Sequence, residues 1–466
     1  MRQQAKRFLV VGGVLTVVLV GLSVAVCYRR YFADVRPPRI ASELEHFKYG
    51  SIGAEVNGFP YSVWRVLPRM FAAELPTGWR TFGFIIEDGR ELPVGLSVRK
   101  FGIERVGFNC ATCHTSTVDG ASAVLIGAPA NKLHLQGYVD FLARVGRDPR
   151  FNTDAVLAAM RSDPGQSIDF LDATVHRLYI IPKLKKELRN LEESSAWAAR
   201  RPPHGPGRTD AGNPWRRRFG LDPLQDDLTG AVDFPPLWNQ ALRTAAWLHW
   251  DGNNSSLTER NLSAALAGGA SVDSLDHESI ERVAAWSMTA PPPKFPGAVD
   301  PAAVARGGSI YRQQKCGECH DPGGPRYGQS TPLAEIGTDH DRYELFSQQL
   351  LNAFGTVGAG RPWQFRHYRK SDGYANVALD GIWARAPYLH NGSVPTLYAL
   401  LLPASQRPTA FGRGCDRFDK DLVGFVCDTG FPFDTTLKGN GNGGHAYGTD
   451  VSENQRRDLV EFLKTL

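Results

Sequence analysis

Two short stretches decide how this chain folds: CATCH at residues 110–114 and CGECH at residues 316–320. Each has the form Cys-x-x-Cys-His, which marks the covalent attachment of c-type haem. In such a motif the two thiols form thioethers with the porphyrin, and the adjacent histidine binds the iron as its proximal ligand. The sequence therefore predicts two covalently bound haem c groups, each with its iron. The residues predicted to bind them are Cys110, Cys113, His114, Cys316, Cys319 and His320.

A redox-active Cys-x-x-Cys pair is the competing interpretation of either motif taken alone. Two such motifs on one chain, each followed directly by histidine, favour haem attachment over thiol redox chemistry. We therefore interpret the sequence as that of a di-haem cytochrome c.

The composition and the remaining cysteines indicate less about the function than the two motifs do. The 466 residues suffice for two or three domains, and a net charge of +5 is too slight for this length to indicate a nucleic-acid partner. Four of the seven cysteines belong to the motifs, and Cys27 lies in an N-terminal apolar run. Cys415 and Cys427 lie in a loop rich in glycine and aspartate, where we expect a disulfide; two free thiols are the alternative.

An uncharged run from Phe8 to Cys27 is long enough to span a bilayer as a helix. A cleaved signal peptide is the alternative, but the residues before Cys27 make a poor cleavage site. The run therefore predicts an uncleaved transmembrane anchor. Charges flank it on both sides and give no orientation, whereas covalent haem attachment takes place outside the bacterial cytoplasm. The expected location is the bacterial inner membrane, with a single pass and the body in the periplasm.

The expected fold is mainly α. It comprises two cytochrome c-type haem domains with irregular loops and few short strands, in addition to the N-terminal transmembrane helix. The predicted units are the membrane anchor at 1–35, the first haem domain at 36–290 with a helical and Arg/Gly/Pro-rich insert, and the second haem domain at 291–466. The second boundary lies at the proline run that begins with Pro291, because consecutive prolines cannot continue a helix.

Local patterns predict the elements around the first motif. Alternating apolar residues in Leu96–Phe108 favour a strand that leads into the motif, and apolar spacing favours helices in Asp154–Arg200 and His277–Met288. The segment Arg200–Gly220 is rich in Arg, Gly and Pro and predicts a loop. Its arginines either lie in solvent or meet haem propionates, since guanidinium pairs well with carboxylate.

The second motif has the helical lead-in of a standard cytochrome c domain. Asp300 is placed to cap a helix that delivers Cys316. At the C-terminus, Ser452 and Gln455 have the spacing of a capping box in front of an amphipathic helix.

The sixth iron ligand of the second haem must be a residue other than methionine. No methionine follows His320, so a His/Met pair cannot form within the second domain. The available histidines are His340, His367, His390 and His445. His445 is the favoured ligand because it lies in a glycine-rich loop before the terminal helix, and His390 and Tyr447 remain alternatives. The predicted metal ligands are thus His114, His320 and His445. A bis-histidine haem has a lower potential than a His/Met haem and suits an electron relay.

The sixth position of the first haem stays open. The local residues with suitable side chains are His134, Met160, His176, His204 and His249. No catalytic residue is settled by the sequence, but Trp247, His249 and Trp250 form an aromatic cluster and are the candidates. Such a cluster has three possible roles: it packs in a core, forms the wall of an apolar pocket, or carries electrons between two haems.

Several stretches together resemble the di-haem cytochrome c peroxidase superfamily, and most closely its rubber-oxygenase-like branch. They are VGFNCATCH at 106–114, VDFPPLWNQ at 232–240, LHWDGNN at 248–254 with ERN at 259–261, IGTDHDR at 336–342, GIWARAPYLHNGSVPTLYALL at 381–401 and GHAYGT at 444–449. The resemblance covers residues 90–466. It implies two c-haem domains packed so that electrons pass between the irons.

In the oxygenase branch the N-terminal haem is the active one and binds oxygen, while the C-terminal haem is bis-histidine. Carried over, His114 holds the active iron, and His320 with His445 holds the relay. Peroxidases of the superfamily usually have a His/Met C-terminal haem, which this chain cannot build. The expected function is a haem oxidoreductase that uses oxygen or peroxide and an electron donor or acceptor. Peroxide reduction and non-catalytic electron transfer are the alternatives, and the substrate stays open.

Overall fold

The computed structural model describes residues 18–119 and 124–466. Its composition of 42% helix and 11% strand makes helices the main building elements. The α-helices of the N-terminal part are α1 (18–31), α2 (Glu43–Tyr49), α3 (Tyr61–Trp64), α4 (Leu67–Met70), α5 (Cys110–Cys113), α6 (Leu135–Val145), α7 (Thr153–Arg161), α8 (Phe170–Val175), α9 (Ile181–Ser195), α10 (Asn213–Arg218), α11 (Leu257–Ala267) and α12 (His277–Thr289). Those of the C-terminal part are α13 (Pro301–Gln313), α14 (Gly317–His320), α15 (Leu333–Ile336), α16 (Asp341–Leu345), α17 (Gln348–Phe354), α18 (Leu397–Leu400) and α19 (Glu453–Leu463).

The strands are short. They are β1 (Asp34–Val35), β2 (Phe59–Pro60), β3 (Leu96–Phe101), β4 (Ile103–Phe108), β5 (Thr115–Ser116), β6 (Leu125–Ile126), β7 (Arg208–Asp210), β8 (Ala231–Asp233), β9 (Ser330–Pro332), β10 (Gly373–Ala375), β11 (Ala410–Arg413), β12 (Phe418–Asp419), β13 (Gly424–Phe425) and β14 (Phe431–Asp434). One sheet has four strands in the order β1-β3-β4-β2, and the others are antiparallel pairs.

The prediction of a transmembrane anchor is corrected. Within residues 18–119 and 124–466, no helix is both long enough and apolar enough to cross a membrane. A span needs about 20 consecutive apolar residues, and the described part of helix α1, residues 18–31, includes Arg29 and Arg30. The single-pass location in the inner membrane, with the body in the periplasm, is wrong on the same finding. Residues 8–17 of the predicted run lie outside the described part.

A β-hairpin leads into the first motif, which confirms the strand prediction for Leu96–Phe108. Strands β3 and β4 pair in register from Leu96 opposite Phe108 to Phe101 opposite Ile103. Gly102 forms the turn with a φ of 73°, a left-handed conformation that glycine adopts without strain. The hairpin therefore brings its last residue back beside its first, directly before the motif.

The helix predictions are confirmed in part. Helix α12 matches the prediction for His277–Met288, with Asp276 as its N-cap. The predicted helical stretch Asp154–Arg200 contains α7, α8 and α9, but an irregular segment separates α7 from α8. The loop prediction for Arg200–Gly220 is wrong in part, because β7 and α10 form there; Pro214 at the start of α10 suits the first helical turn.

The predictions for the second domain's helices are confirmed. Helix α13 begins after Asp300, whose carboxylate accepts from the N–H of Ala302, and it ends three residues before Cys316. Ser452 and Gln455 form the capping box at the start of α19.

The predicted disulfide between Cys415 and Cys427 is present. It closes a loop that is fastened to the segment after the first motif. The Asp416 carboxylate accepts a hydrogen bond from Thr117 Oγ1 at 2.9 Å and pairs with Lys132 Nζ at 2.6 Å. The disulfide loop therefore ties the C-terminal part of the chain to the surroundings of CATCH.

Four clusters of buried apolar side chains hold the described residues together. The first belongs to the N-terminal part and includes the stacked pair Trp64 and Trp79, with ring centroids 4.6 Å apart. The second surrounds Trp383 in the C-terminal part. The third joins residues on both sides of the proline run, such as Leu262 and Leu350. The fourth packs behind the first motif. Both haem-motif regions thus share a packed interior, while the domain boundaries themselves stay a prediction.

Helices α13 and α19 approach each other closely beside the second motif. A Cβ atom on Gly307 would collide with the main-chain oxygen of Asp458, whereas one on Gly308 would lie 3.3 Å from the ring of Phe462. The rings of Tyr311 and Phe462 lie 5.1 Å apart across the same interface. The crossing therefore requires that position 307 carry no side chain.

We predict that Gly307→Ala lowers the free energy of unfolding by about 1–3 kcal/mol, because the backbone of α19 must move to admit the methyl group. Thermal or denaturant unfolding followed by circular dichroism measures the change. Gly308→Ala is the matched control and should stay within about 1 kcal/mol of the parent, since a flexible ring can give way and alanine favours helix. Equal losses in the two variants would contradict the close approach at Gly307.

Candidate haem-binding cavity

Both Cys-x-x-Cys-His stretches open into one cavity of about 1000 Å³. This volume lies at the upper end of the range for ligand and cofactor pockets, about 300–1,000 Å³. The predicted haem-binding residues and ligands in its wall are Cys110, Cys113, His114, Cys316, Cys319, His320 and His445. The fold therefore brings together two stretches that lie far apart in the sequence.

Asn109 positions the first motif at the end of β4. Its side-chain oxygen accepts a hydrogen bond from the N–H of Ala111 at 2.9 Å and so caps the short helix α5. Its Nδ2 atom donates to the carbonyl of Gly50 at 3.0 Å, just beyond the end of α2. The asparagine thus joins strand, motif and helix α2 at one point.

His114 presents one ring nitrogen for a metal. Its Nδ1 lies 2.8 Å from the carbonyl oxygen of Pro235, and a carbonyl only accepts, so Nδ1 carries the proton and Nε2 has none. Burial lowers the pKa of His114 to about 4. The imidazole is therefore neutral at physiological pH, which is the form that binds iron.

His320 has the same arrangement in the second motif. Helix α13 ends before Lys315, whose φ of 57° redirects the chain into α14. The Nδ1 atom of His320 donates to the carbonyl of Val377 at 2.7 Å, and burial lowers the pKa of the ring. Both proximal histidines thus point a bare Nε2 away from their carbonyl partner.

His445 faces His320, with ring centroids 6.3 Å apart and planes inclined by 38°. A metal bound to one nitrogen of each ring at about 2 Å would separate the ring centres by about 6 Å. Within residues 18–119 and 124–466, the buried Nδ1 atom of His445 has no hydrogen-bond partner. These two observations fit a haem iron held between the two rings, so the residues present suit a bis-histidine haem.

The alternative ligands are engaged elsewhere. His390 lines the cavity, but its Nε2 is hydrogen-bonded to the hydroxyl of Tyr374 at 3.0 Å and its ring stacks on that tyrosine. The hydroxyl of Tyr447 donates to Glu335 at 2.9 Å. Of the three candidates, His445 is therefore the one whose ring is turned towards His320 and available.

The candidates for the sixth ligand of the first iron are dispersed. His204 and His249 line the cavity, whereas Met160 lies fully buried in the first apolar cluster. His134 caps α6 through Nδ1, and both ring nitrogens of His176 are already hydrogen-bonded. Among the described residues, no histidine ring stands opposite His114 as His445 stands opposite His320. The same part of the chain contributes no methionine to the cavity wall.

The aromatic candidates Trp247, His249 and Trp250 all line the cavity. The indole N–H of Trp250 donates to the carbonyl of Asp233 at 3.0 Å, which fixes the ring. The guanidinium of Arg369 lies over the ring of Trp247, 3.0 Å from its centroid. Of the roles considered for this cluster, the wall of a pocket is therefore the one that its position supports.

Most of the arginines that line the cavity lie outside the segment Arg200–Gly220, whose arginines the sequence offered as partners of haem propionates. From the segment Arg200–Gly220, only Arg218 lines the cavity in the part of the chain described. The other arginines in the wall are Arg243, Arg260, Arg326, Arg342 and Arg385. Three of them stand in stretches that carry the family resemblance (ERN, IGTDHDR and GIWARAP), which is the signal that could have identified them.

The RoxA-like, cytochrome c-like family model matches residues 373–412. This segment contains Val377, Arg385 and His390, which line the cavity near the second motif. The chain is linked to the RoxA-like cytochromes c. Haem c binding follows from that link, whereas the number of haems and the wider di-haem peroxidase superfamily stay predictions.

Two proteins of Sinorhizobium fredii are similar to this chain. The uncharacterized protein y4iM is 33% identical over 284 residues, which cover 50% of this chain and 64% of the relative. The uncharacterized protein y4iJ is 26% identical over 522 residues, which cover 83% of this chain and 84% of the relative. The chain thus spans less than two thirds of the first relative's length. Neither name states an activity.

We predict that the chain, produced together with the c-haem maturation machinery, carries two covalent haems. Intact-protein mass spectrometry should find two haem additions that survive acid–acetone extraction, because thioether bonds do not dissociate. Replacing both cysteines of one motif by alanine should remove one addition. A single addition on the parent protein would contradict the two-haem prediction.

We predict that His445→Ala turns the low-spin haem at His320 high-spin and raises its reduction potential, because an imidazole is lost from the iron. Electron paramagnetic resonance and the visible absorption spectrum measure the spin state. His340→Ala is the control, since that side chain is exposed, and it should leave both spectra unchanged. An unchanged second haem in His445→Ala would assign the sixth position to another residue.

Proposed function

We propose that this RoxA-like cytochrome is a di-haem oxidoreductase. The haem at His114 is the site of oxygen activation on an apolar substrate, and the haem at His320 and His445 relays electrons. The observation that carries the proposal is the asymmetry of the two motifs within one cavity. One proximal histidine has a second imidazole opposite it, and the other has none among the described residues.

The asymmetry indicates a different function for each of the two sites. An iron with two imidazole ligands has no free position and suits electron transfer, whereas an iron with one protein ligand keeps a position for an external molecule. When bound, haem supplies one-electron redox chemistry and that binding position. The family model that matches residues 373–412 is cytochrome c-like, which agrees with redox chemistry at both sites.

The wall next to the first motif is apolar. The side chains that contribute are Phe234, Leu237, Leu266, Ile280 and Val283. They line the cavity beside Cys110 and Ala111, and a wall of this character favours an apolar substrate. Oxygen, which is itself uncharged, enters such a space without a desolvation penalty. We therefore favour oxygen over peroxide as the reactant.

Peroxide reduction is the second candidate, and His249 favours it. Its Nδ1 lies 2.6 Å from Asn253 Oδ1, and Asn253 Nδ2 donates to Asp251 Oδ2 at 2.9 Å. The amide oxygen can only accept, so Nδ1 of His249 carries the proton and Nε2 is a base on the cavity wall. Reduction of hydrogen peroxide to two waters consumes two protons and two electrons, and a positioned imidazole can carry such protons.

The proposal predicts that carbon monoxide binds one haem of the fully reduced protein and leaves the other unchanged. Absorption spectra before and after gas addition measure the fraction of haem that responds, which should be half. Reduced protein that reacts with oxygen at the same haem supports the oxygenase assignment. If neither haem binds carbon monoxide or cyanide, both sites are closed and an electron carrier is the correct function.

The two enzyme candidates differ in their response to His249→Ala. For a peroxidase that uses His249, the rate of peroxide turnover should fall by about 100-fold or more, because general acid–base catalysis contributes at least that factor. For an oxygenase with an apolar pocket, oxygen binding should persist. His277→Ala, a change on helix α12, is the control and should affect neither rate.

A further inference from the structure

Three arginines follow one another in the cavity wall between the two motifs: Arg260, Arg243 and Arg385. Arg385 Nη1 donates to the carbonyl of Ala378 at 2.7 Å, next to Val377, whose carbonyl accepts from His320. Arg243 Nη1 donates to the carbonyl of Trp238 at 3.3 Å, and the same carbonyl accepts from Gln240 Nε2 at 3.0 Å. Gln240 Oε1 in turn accepts from Arg260, which lies on α11 close to Leu262, a member of the apolar cluster that packs against Cys110. We call the three arginines the arginine row.

The row has one carboxylate for three guanidinium groups within residues 18–119 and 124–466. The Oδ1 atom of Asp380 lies 2.9 Å from Arg243 Nη2 and 2.7 Å from Arg385 Nη2. The hydrogen bonds of Arg260 go to neutral amide oxygens of Gln240 and Asn261. Asp380 is not part of the cavity wall, so the row presents positive charge to the cavity.

Enclosed positive charge without a partner is unfavourable. Burial, with repulsion from Arg243, lowers the pKa of Arg260 to about 10, and burial likewise lowers the pKa of Arg385 to about 10. The Nε atom of Arg385 is buried and has no hydrogen-bond partner among the described residues. Anions in the cavity would stabilise such groups in their charged form, and the guanidinium fork matches carboxylates best.

We propose that the arginine row binds the propionate carboxylates of both haems and joins the two haem sites electrostatically. The inference rests on the proposed two-haem function. Arg260 serves the haem at His114, Arg385 serves the haem at His320, and Arg243 holds the two together through Asp380. Arg243 is therefore a positioning residue, and its charge acts on both irons at once.

The test is the pair of reduction potentials, measured by spectroelectrochemistry on the haem-loaded protein. Arg243→Gln should lower both potentials. A nearby positive charge disfavours the oxidised, more positive iron, and the substitution removes that charge. Arg243→Lys keeps the charge and should restore both. Asp380→Asn removes a negative charge and should raise both. The control is Arg306→Gln, an exposed arginine paired with Asp458 at 2.7 Å, which should leave both unchanged.

Neighbouring variants test the order of the row. Arg260→Gln should lower chiefly the potential of the haem at His114, and Arg385→Gln chiefly that at His320. A reversed or uniform response would overturn the assignment. If Arg243→Gln fails to fold, Asp380→Asn decides: a rise of both potentials supports the row, and a change in one or none overturns it.

Haem counting by mass separates this inference from the function on which it rests. If the parent protein carries two haems but their potentials are unchanged in Arg243→Gln and Asp380→Asn, the arginine row is overturned and the two-haem function is not. A single haem on the parent protein overturns the row and the proposed two-haem function together. Two haems with both potentials lowered in Arg243→Gln, and restored in Arg243→Lys, support both.

Discussion

The hydrogen bond that each proximal histidine donates to a distant main-chain carbonyl is the interaction on which the cavity depends. The carbonyls belong to Pro235 and Val377, 121 and 57 residues from their histidines along the chain. The two loops that carry them are also joined to each other, because the indole N–H of Trp238 donates to the carbonyl of Asp380 at 3.0 Å. The orientation of both imidazoles therefore rests on one shared contact between loops.

Two other buried arginines each pair with one carboxylate. Arg413 pairs with Asp233 at 2.6 Å and Arg342 with Asp251 at 2.8 Å, and all four side chains are buried. Breaking such a pair leaves an uncompensated buried charge, which is strongly destabilising. The arginine row differs from these two pairs, since its three guanidinium groups have the one carboxylate of Asp380 among the described residues. The carboxylates of the proposed haems are our explanation for this excess.

What could be predicted from the sequence was chemistry set by local spacing. The Cys-x-x-Cys-His stretches, the caps at Asp300 and Ser452 and the glycine-rich loop around His445 each depend on residues that are neighbours in the chain. The resemblance could have drawn attention to Arg260 and Arg385, but the grouping of the arginine row in one buried wall could not be predicted, because an arginine is solvated unless tertiary contacts bury it. The transmembrane anchor was predicted from apolar composition alone, and no helix within the described residues is both long and apolar enough to cross a membrane.

The surroundings of His114 and His320 differ, because among the described residues a second imidazole faces only His320. Arg407 is buried and holds the loop that carries His445 through hydrogen bonds to the carbonyls of Asn442, Gly444 and His445 itself. His249 also lines the cavity, but its Nδ1 bonds within its own turn to Asn253. One loop is thus fixed so that its histidine faces His320. The bond within the other turn agrees with the proposal that the haem at His114 keeps a position for a reactant.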